Sequence, residues 1–359
     1  DVPRGVPVVR AFALDAARHL SVAGRYPGFL ARPDRWLTWK YAAIRAGMRM
    51  IRSWRPDVIW STFPIATAHL IASALHRRAG LPWIADFRDP MAQDGYPADP
   101  KIWASYQRIE STTVRTAARS VFTSPGAVRE YTLRYPECGD RLALIENGYD
   151  EESFAGIDTS FPRPRAAPGG APVVLLHSGI VYPSERDPTQ LFEALGRLRT
   201  AGQLPPGSIE FRFRASANDD LLRTIADRHG VADLVSVLPA IPYRDALAEM
   251  AGVDALLVMQ ASNCNAQIPA KVYEYLRAGR PIYALTDPAG DTAGLMRRAG
   301  VADVAPLDSA DAIAASLPSF VTRIRAATAV APSREFASRC TRKERTRALA
   351  ELLDGASAD

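Results

Sequence analysis

Lys271 and Glu274 are the residues whose types and spacing point most directly to chemistry. They stand in the stretch QIPAKVYEYLRAGRPIYAL, residues 267–285. A proline before Lys271 and a Gly-Arg-Pro after the apolar run predict a short helix followed by a strand. On that helix the two side chains lie on one face. A helix N-terminus attracts phosphate, and a carboxylate one turn further on can accept hydrogen bonds from ribose hydroxyls. The alternative is an ion pair on a solvated face.

The composition excludes several classes of function. The net charge is +5 over 359 residues, with both signs spread along the chain, which does not favour a nucleic-acid partner. The three cysteines, Cys138, Cys264 and Cys340, are far apart, which favours reduced thiols in the cytoplasm. The sequence has no Cys-x-x-Cys, no histidine pair with metal-ligand spacing and no Asp-x-Asp pair, so no metal and no cofactor are expected. No apolar run approaches the roughly 20 residues that span a bilayer.

Short apolar strands alternate with amphipathic helices along both halves of the chain. This alternation predicts an α/β fold with two Rossmann-like, doubly wound domains, and a ligand at the carboxyl ends of their strands, in a cleft between them. The stretch 158–172 is rich in Pro, Gly and Arg and predicts a linker. The expected domains are therefore 1–157 and 173–332, with a C-terminal helix, 333–359, returning to the first domain.

The segment from Pro269 to Pro281 resembles the donor-binding helix of family 4-like glycosyltransferases of the GT-B fold, also called glycosyl transferases group 1. A branch of that family carries Pro-x-Lys-x-x-Glu-Tyr-Leu-x-x-Gly-x-Pro, and every fixed position is present here. The resemblance implies that Glu274 holds the ribose hydroxyls of a nucleotide sugar. The broader family often has another glutamate eight residues earlier, where this chain has Ala266, so that residue's role toward the donor sugar does not carry over.

The resemblance extends over most of the chain and implies further donor-binding residues. In LLHSGIVYPSERD, Gly179 lets the backbone approach the donor and Arg186 reaches the diphosphate, for which a guanidinium is suited. The alternative is that this arginine pairs with a neighbouring carboxylate. Ala240 and Ile241 are expected to contact the nucleobase through their backbone, with residues 215–217 lining the same pocket.

Three charged residues follow a predicted strand in the first half. Asp86, Arg88 and Asp89 stand in WIADFRDP, which resembles an acceptor-side strand of the same family. They are the candidate catalytic residues: the carboxylates would orient an acceptor hydroxyl, and the arginine would bind an anionic acceptor or balance the carboxylates. The alternative is a structural Asp–Arg pair at the sheet edge. The identity of a catalytic base stays open.

Residues 35–55 predict a basic amphipathic helix. Leu37, Tyr41, Ile44, Met48 and Ile51 form an apolar seam at helical spacing, and arginines and tryptophans flank it. Such a helix can lie on an anionic membrane surface, or it can simply bury its seam on the sheet. The two interpretations are compatible. Membrane contact would place the protein peripherally on the inner face of the membrane.

The start of the chain raises a further expectation. Family members begin with a strand and a glycine-rich loop, whereas GVPVVRAFAL resembles a later strand. We therefore expect that the first domain is incomplete at its start. The alternative is a degenerate first domain.

The resemblance implies a glycosyltransferase that moves a sugar from a nucleotide diphosphate sugar to a hydroxyl of a glycan or lipid-linked acceptor. It also implies retention at the anomeric carbon, no metal, and a role in cell-surface polysaccharide or glycolipid assembly. Two other functions stay open: an enzyme similar to a nucleotide-sugar epimerase, and a non-catalytic carbohydrate-binding or scaffold protein of the same fold.

Overall fold

The computed structural model describes residues 5–160, 171–205 and 207–358. Within these residues the strands form two parallel sheets, one in each of two compact units. The first sheet has the order β1-β2-β3-β4 and the second has the order β10-β9-β8-β5-β6-β7. The strands are β1 Ile59–Thr62, β2 Trp83–Arg88, β3 Arg119–Phe122, β4 Leu142–Leu144, β5 Val173–Ser178, β6 Ile209–Arg214, β7 Val235–Leu238, β8 Ala255–Gln260, β9 Ile282–Thr286 and β10 Val304–Ala305.

Helices connect these parallel strands and cover the sheets. The α-helices are α1 Ala16–His19, α2 Trp39–Trp54, α3 Ala66–Ala79, α4 Pro100–Thr116, α5 Pro125–Arg134, α6 Thr189–Thr200, α7 Asp219–Arg228, α8 Tyr243–Gly252, α9 Lys271–Ala278, α10 Asp291–Arg298, α11 Ala310–Arg325, α12 Arg334–Ser338 and α13 Arg342–Ala358. The predicted fold class, two doubly wound α/β domains, is confirmed at the level of these two sheets.

The second unit buries both faces of its sheet. Leu175 of β5 packs in one apolar cluster, while its neighbour Leu176 packs in the cluster on the opposite face. Successive side chains of a strand point to opposite faces, so two covered faces require the continuous apolar runs seen in β5 and β8. Because both faces of the sheet are covered, functional side chains are expected in the polar loops that follow the strands.

The units divide the chain elsewhere than the sequence pattern predicts. The first comprises Asp1–Glu146 and Arg347–Asp359, and the second comprises Asn147–Thr346. Residues 147–157 join the second unit because Tyr149 and Phe154 are buried in its core. Most of the predicted linker, residues 161–170, lies outside the described residues.

The last helix crosses from the second unit into the first. Leu352, Leu353 and Ala356 of α13 pack against Ile84 of β2 and Val121 of β3. Residues from Arg347 onward belong to the first unit, whereas residues 333–346 belong to the second. The segment around α12 packs on the core of the second unit through its apolar side chains.

Helix α2 packs against α3 in the first unit. A side chain at Gly47 would place a Cβ 2.8 Å from Leu75 Cδ1, so the two helices approach closely where the glycine stands. Ile44 is buried there, and Met48 and Ile51 pack against the same cluster. The predicted apolar seam is confirmed for these residues. It is wrong for Tyr41, which is 75% exposed.

Candidate functional site

Helix α9 positions the two side chains that the sequence singles out. Its apolar residues Val272, Tyr275 and Leu276 are buried, whereas Lys271 and Glu274 are only partly buried and point toward β5 and α8. The helix ends at Gly279, whose φ of 66° places it in the left-handed region that favours glycine as a C-cap. The predicted helix and the strand after it, β9, are therefore confirmed.

Lys271 and Glu274 take separate partners. Lys271 Nζ lies 2.9 Å from His177 Nε2, and the Tyr243 hydroxyl donates to Glu274 Oε1 over 2.7 Å. The alternative of an ion pair between the two α9 side chains is therefore not what the structure shows. Glu274 is hydrogen-bonded to a side chain of α8, while Lys271 is hydrogen-bonded to a side chain near the end of β5.

The turn after β5 brings the backbone close to the lysine. Gly179 has a φ of 113°, and a Cβ built on it would lie 3.1 Å from Lys271 Nζ. Any side chain here would be strained and would press on the amine. Burial and the nearby Arg186 guanidinium lower the pKa of Lys271 from 10.5 to about 7, while Glu274 acts in the opposite direction. The amine is therefore only partly protonated near pH 7, and an anionic ligand beside it would favour the charged form.

Arg186 stands in the loop between β5 and α6. Its Nη1 donates to the Ile180 carbonyl over 3.2 Å, and its guanidinium lies 5.1 Å from the centre of the Tyr182 ring. Glu185 lies 3.7 Å from its Nη2, so the predicted alternative, a pair with a neighbouring carboxylate, is present as a long contact. The Nε atom is buried without a hydrogen-bond partner in the described part of the chain. This N–H can bind an additional acceptor.

A concave pocket of about 540 Å³ lies beside the ends of β6 and β7. Ala215 and Ala217 line it from one side and Ala240 from the other, while Ile241 follows in the chain. Ala215 and Ala217 have φ values of 56° and 58°, a region that non-glycine residues rarely adopt. Such strained residues concentrate at ligand sites, where they turn backbone groups toward a ligand.

The structure brings most of the predicted donor residues together in the second unit. Gly179 and Lys271 approach each other directly, and Arg186 and Glu274 both act on the charge of the lysine. Sequence reasoning missed His177 and Tyr243. The available signal for His177 was a histidine inside the apolar strand VVLLHS, where a buried polar ring requires partners. No sequence pattern pointed to Tyr243, because a tyrosine at the first position of a helix does not indicate which distant residue it contacts.

The candidate catalytic residues lie at the end of β2 in the first unit. Asp86 is buried, and its carboxylate accepts from the Thr62 hydroxyl at 3.1 Å and from the Arg88 backbone N–H at 3.2 Å. Burial raises the pKa of Asp86, and the charge of Arg88 opposes this rise. Arg88 has a φ of 56° beside an irregularity in the pairing of β2 with β3. Arg88 and Asp89 are exposed, so both can meet a ligand.

A buried carboxylate fixes the loop that follows these residues. Glu110 of α4 accepts from the backbone N–H of Ala92 at 3.0 Å and from the Tyr131 hydroxyl at 2.5 Å. The Tyr131 oxygen in turn accepts from the backbone N–H of Met91 at 2.8 Å. Hydrogen bonds to side chains of α4 and α5 therefore fix the loop after Asp89. These bonds hold the end of β2 in a defined conformation.

No group of three or more histidine, cysteine, aspartate or glutamate side chains in residues 5–160, 171–205 and 207–358 is arranged to hold a metal ion. Within the same ranges, no helix has the length and apolar character needed to cross a bilayer.

Solved structures of other proteins share this fold. Sucrose-phosphate synthase from Thermosynechococcus elongatus is 12% identical, with a TM-score of 0.61 over 90% of this chain and 79% of that chain. HepE from Anabaena, in complex with UDP-glucose, is 15% identical, with a TM-score of 0.65 over 88% and 82%. An alpha,alpha-trehalose 6-phosphate synthase from Burkholderia multivorans is 12% identical, with a TM-score of 0.62 over 89% and 76%. The fold that these proteins and this chain share is GT-B.

The family of the first part of the chain follows from its sequence. The sequence model of the family described as Glycosyl transferase 4-like domain matches residues 2–148. Residues 2–148 thus match this family, the chain shares the GT-B fold, and the predicted resemblance to family 4-like glycosyltransferases is confirmed. A comparison with curated protein sequences gave no match.

Proposed function

We propose that this protein transfers a sugar from a nucleotide diphosphate sugar to an acceptor hydroxyl, with retention at the anomeric carbon and without a metal ion. The observation that carries the proposal is the arrangement around α9 in the second unit. There Lys271 lies against Gly179 and Glu274 lies beside α8. Structural neighbours that bind UDP or UDP-glucose support a nucleotide-sugar donor.

The charges of the site suit a departing diphosphate. Arg186 and Lys271 stand near the turn after β5, where the backbone can come close to the ligand because Gly179 has no side chain. Negative charge develops on the leaving diphosphate during transfer, so prearranged cations stabilise the transition state more than the ground state. In this proposal the two side chains supply the cationic charge that a metal ion supplies in other transferases.

Glu274 is the proposed ribose ligand. Tyr243 occupies its Oε1, which leaves the carboxylate with further acceptor capacity for a vicinal diol. The pocket lined by Ala215 and Ala240 offers space for the nucleobase. Asp86 and Arg88, in the first unit, are the proposed acceptor-side residues. The proposed biological role is assembly of a cell-surface polysaccharide or glycolipid in the cytoplasm.

Calorimetric titration with UDP and GDP tests the ribose assignment. Glu274→Ala should weaken nucleotide binding about 10- to 100-fold, because a hydrogen bond to a charged group contributes about 1.5–3 kcal/mol. Glu335→Ala is the matched control, since it removes an exposed carboxylate paired with Arg339 in the same unit. If Glu274→Ala binds both nucleotides as tightly as the wild type, Glu274 is not the ribose ligand.

A donor panel tests whether the protein is an enzyme. Release of nucleoside diphosphate from one donor, accelerated by an acceptor, supports transfer, and lower activity in Asp86→Asn supports the acceptor-side assignment. Nucleotide binding with no release from any donor would instead indicate a non-catalytic binding protein. Conversion of the donor to its epimer, without release, would indicate an epimerase-like enzyme.

The basic groove between α2 and α3 supports contact with an anionic membrane. This groove has a volume of about 540 Å³, and five cationic side chains line it. None of the five makes an ion pair with a carboxylate in the described residues. Tyr41 in the same groove is 75% exposed. The groove residues that carry this charge are Lys40, Arg45, Arg52, Arg77 and Arg78.

Sedimentation with lipid vesicles tests this contact. Each basic side chain near an anionic surface contributes about 1 kcal/mol. Arg45→Glu with Arg52→Glu should therefore weaken binding to vesicles of phosphatidylglycerol and phosphatidylcholine by about 30-fold or more. Arg223→Glu, on the exposed face of α7, is the control. Equal binding to vesicles with and without phosphatidylglycerol would contradict the proposal.

A further inference from the structure

His177 is the one histidine of the donor site, and its ring has a defined orientation. It lies in β5 and is only 1% exposed. Its Nδ1 lies 3.1 Å from the carbonyl oxygen of Leu257 in the neighbouring strand β8. A carbonyl oxygen can only accept, so Nδ1 carries the proton. Burial lowers the pKa of His177 well below 6.5, and the charge of Lys271 lowers it further. The ring is therefore neutral, and Nε2 presents a lone pair.

Lys271 is held between this lone pair and the turn after β5. Its Nζ lies 2.9 Å from His177 Nε2, so the amine donates and the imidazole accepts. On the other side, the position of a Cβ at Gly179 would be 3.1 Å from Nζ. One N–H of the lysine is consequently directed at His177, and the other hydrogens on Nζ stay available to a ligand. A lysine on a four-carbon stem has no such fixed direction by itself.

We propose that His177 is a positioning residue, which holds the amine of Lys271 at the Gly179 turn so that it meets the diphosphate of a nucleotide donor. This inference rests on the proposed function, because it deepens the assignment of the same site. The histidine itself does not touch the donor. Its effect passes through the lysine, whose place and charge it fixes.

Proton uptake on binding is a consequence of this arrangement. The charged groups that face the amine are Arg186, which disfavours its protonation, and Glu274, which favours it, while His177 is neutral. With a pKa of about 7, most of the lysine is unprotonated at pH 8. A diphosphate adds negative charge beside it and raises its pKa, so binding takes up a proton at that pH. Affinity should fall as the pH rises above 7.

Calorimetry with UDP and GDP at pH 8, in two buffers of different ionisation enthalpy, measures both affinity and proton uptake. The wild type should take up close to one proton. His177→Leu removes the acceptor and frees Lys271 to reach solvent, where it regains an ordinary pKa. We expect binding about 10-fold weaker and an uptake near zero.

A conservative variant and two controls separate positioning from folding. His177→Gln retains an acceptor oxygen and should keep binding within about 3-fold of the wild type. Lys271→Arg is charged throughout, so it should bind without proton uptake. His229→Leu removes the other histidine of the second unit and should change neither quantity. Far-ultraviolet circular dichroism checks that each variant is folded.

Failure of this inference is distinguishable from failure of the proposed function. If the wild type binds neither nucleotide, the donor site itself is refuted, and the role of His177 with it. If the wild type binds with proton uptake and His177→Leu behaves identically, only the positioning role is refuted. If the wild type binds without proton uptake, the affinities decide: weaker binding by His177→Leu but not by His177→Gln supports the positioning role, and equal binding by all three proteins refutes it.

Discussion

Replacement of the buried carboxylate of Glu110 by an amide should destabilise the first unit. This carboxylate has no exposed surface and accepts four hydrogen bonds. Oε2 accepts from the Ala92 backbone and the Tyr131 hydroxyl, and Oε1 accepts from Arg134 at 2.6 Å and the Tyr135 hydroxyl at 2.8 Å. In Glu110→Gln one of the two oxygens becomes an NH₂ group. Either orientation then sets this donor against a group that can only donate, the Ala92 N–H or the Arg134 guanidinium.

The magnitude follows from these contacts. Breaking a buried ion pair costs about 3–5 kcal/mol, and the side chain of Arg134 is 30% exposed, so water offsets part of the loss. We expect a decrease of about 3 kcal/mol in the free energy of unfolding of the first unit. With a denaturant slope of about 1.5–2 kcal/mol/M in urea, the midpoint should fall by about 1.5–2 M.

Tryptophan fluorescence reports on the first unit alone. All six tryptophans lie between residues 36 and 103, and Trp83 is fully buried. Glu130→Gln is the matched control, because Glu130 pairs with the same guanidinium of Arg134 but is 34% exposed, whereas Glu110 is fully buried. That variant should lose less than about 1 kcal/mol. A midpoint for Glu110→Gln no lower than that of Glu130→Gln would refute the reasoning.

Three further predictions concern the same unit and the same fluorescence signal. Gly47→Val should lose about 2–3 kcal/mol through overpacking against Leu75, and the added change Leu75→Ala should restore part of it. Burial lowers the pKa of His69 to about 3 from 6.5, so its contribution to stability is present above pH 6.5 and is lost as the pH falls toward 3. Between pH 7 and 4.5 the wild type should therefore lose about 2–3 kcal/mol more than His69→Gln. Burial raises the pKa of Asp86, so Asp86→Asn should be more stable than the wild type at pH 7 and equally stable at pH 3.

Each of these predictions has a contrary outcome. An unchanged midpoint for Gly47→Val would mean that α2 moves away from α3 without cost. Parallel pH profiles for the wild type and His69→Gln would mean that the buried ring does not titrate differently from an unfolded one. A less stable Asp86→Asn at pH 7 would mean that Arg88 stabilises the carboxylate by more than burial destabilises it.

Local sequence patterns are enough to predict the fold class and the helix that carries the candidate site. Apolar runs between turn residues predicted parallel strands, and the glycine and proline after residue 278 placed the end of α9 and the start of β9. These features are local, since they depend on residues close together in the chain. The placement of Lys271 and Glu274 on one face of α9 was predictable for the same reason.

The partners of Lys271 and Glu274 depend on contacts between distant parts of the chain. His177 is 94 residues from Lys271, and Tyr243 is 31 residues from Glu274, so no local pattern pairs them. The unit boundary at Glu146 likewise depends on where Tyr149 is buried, which is a matter of packing with distant residues. The lowered pKa of Lys271 has the same origin, because burial and the charge of a separate loop are set by the folded chain.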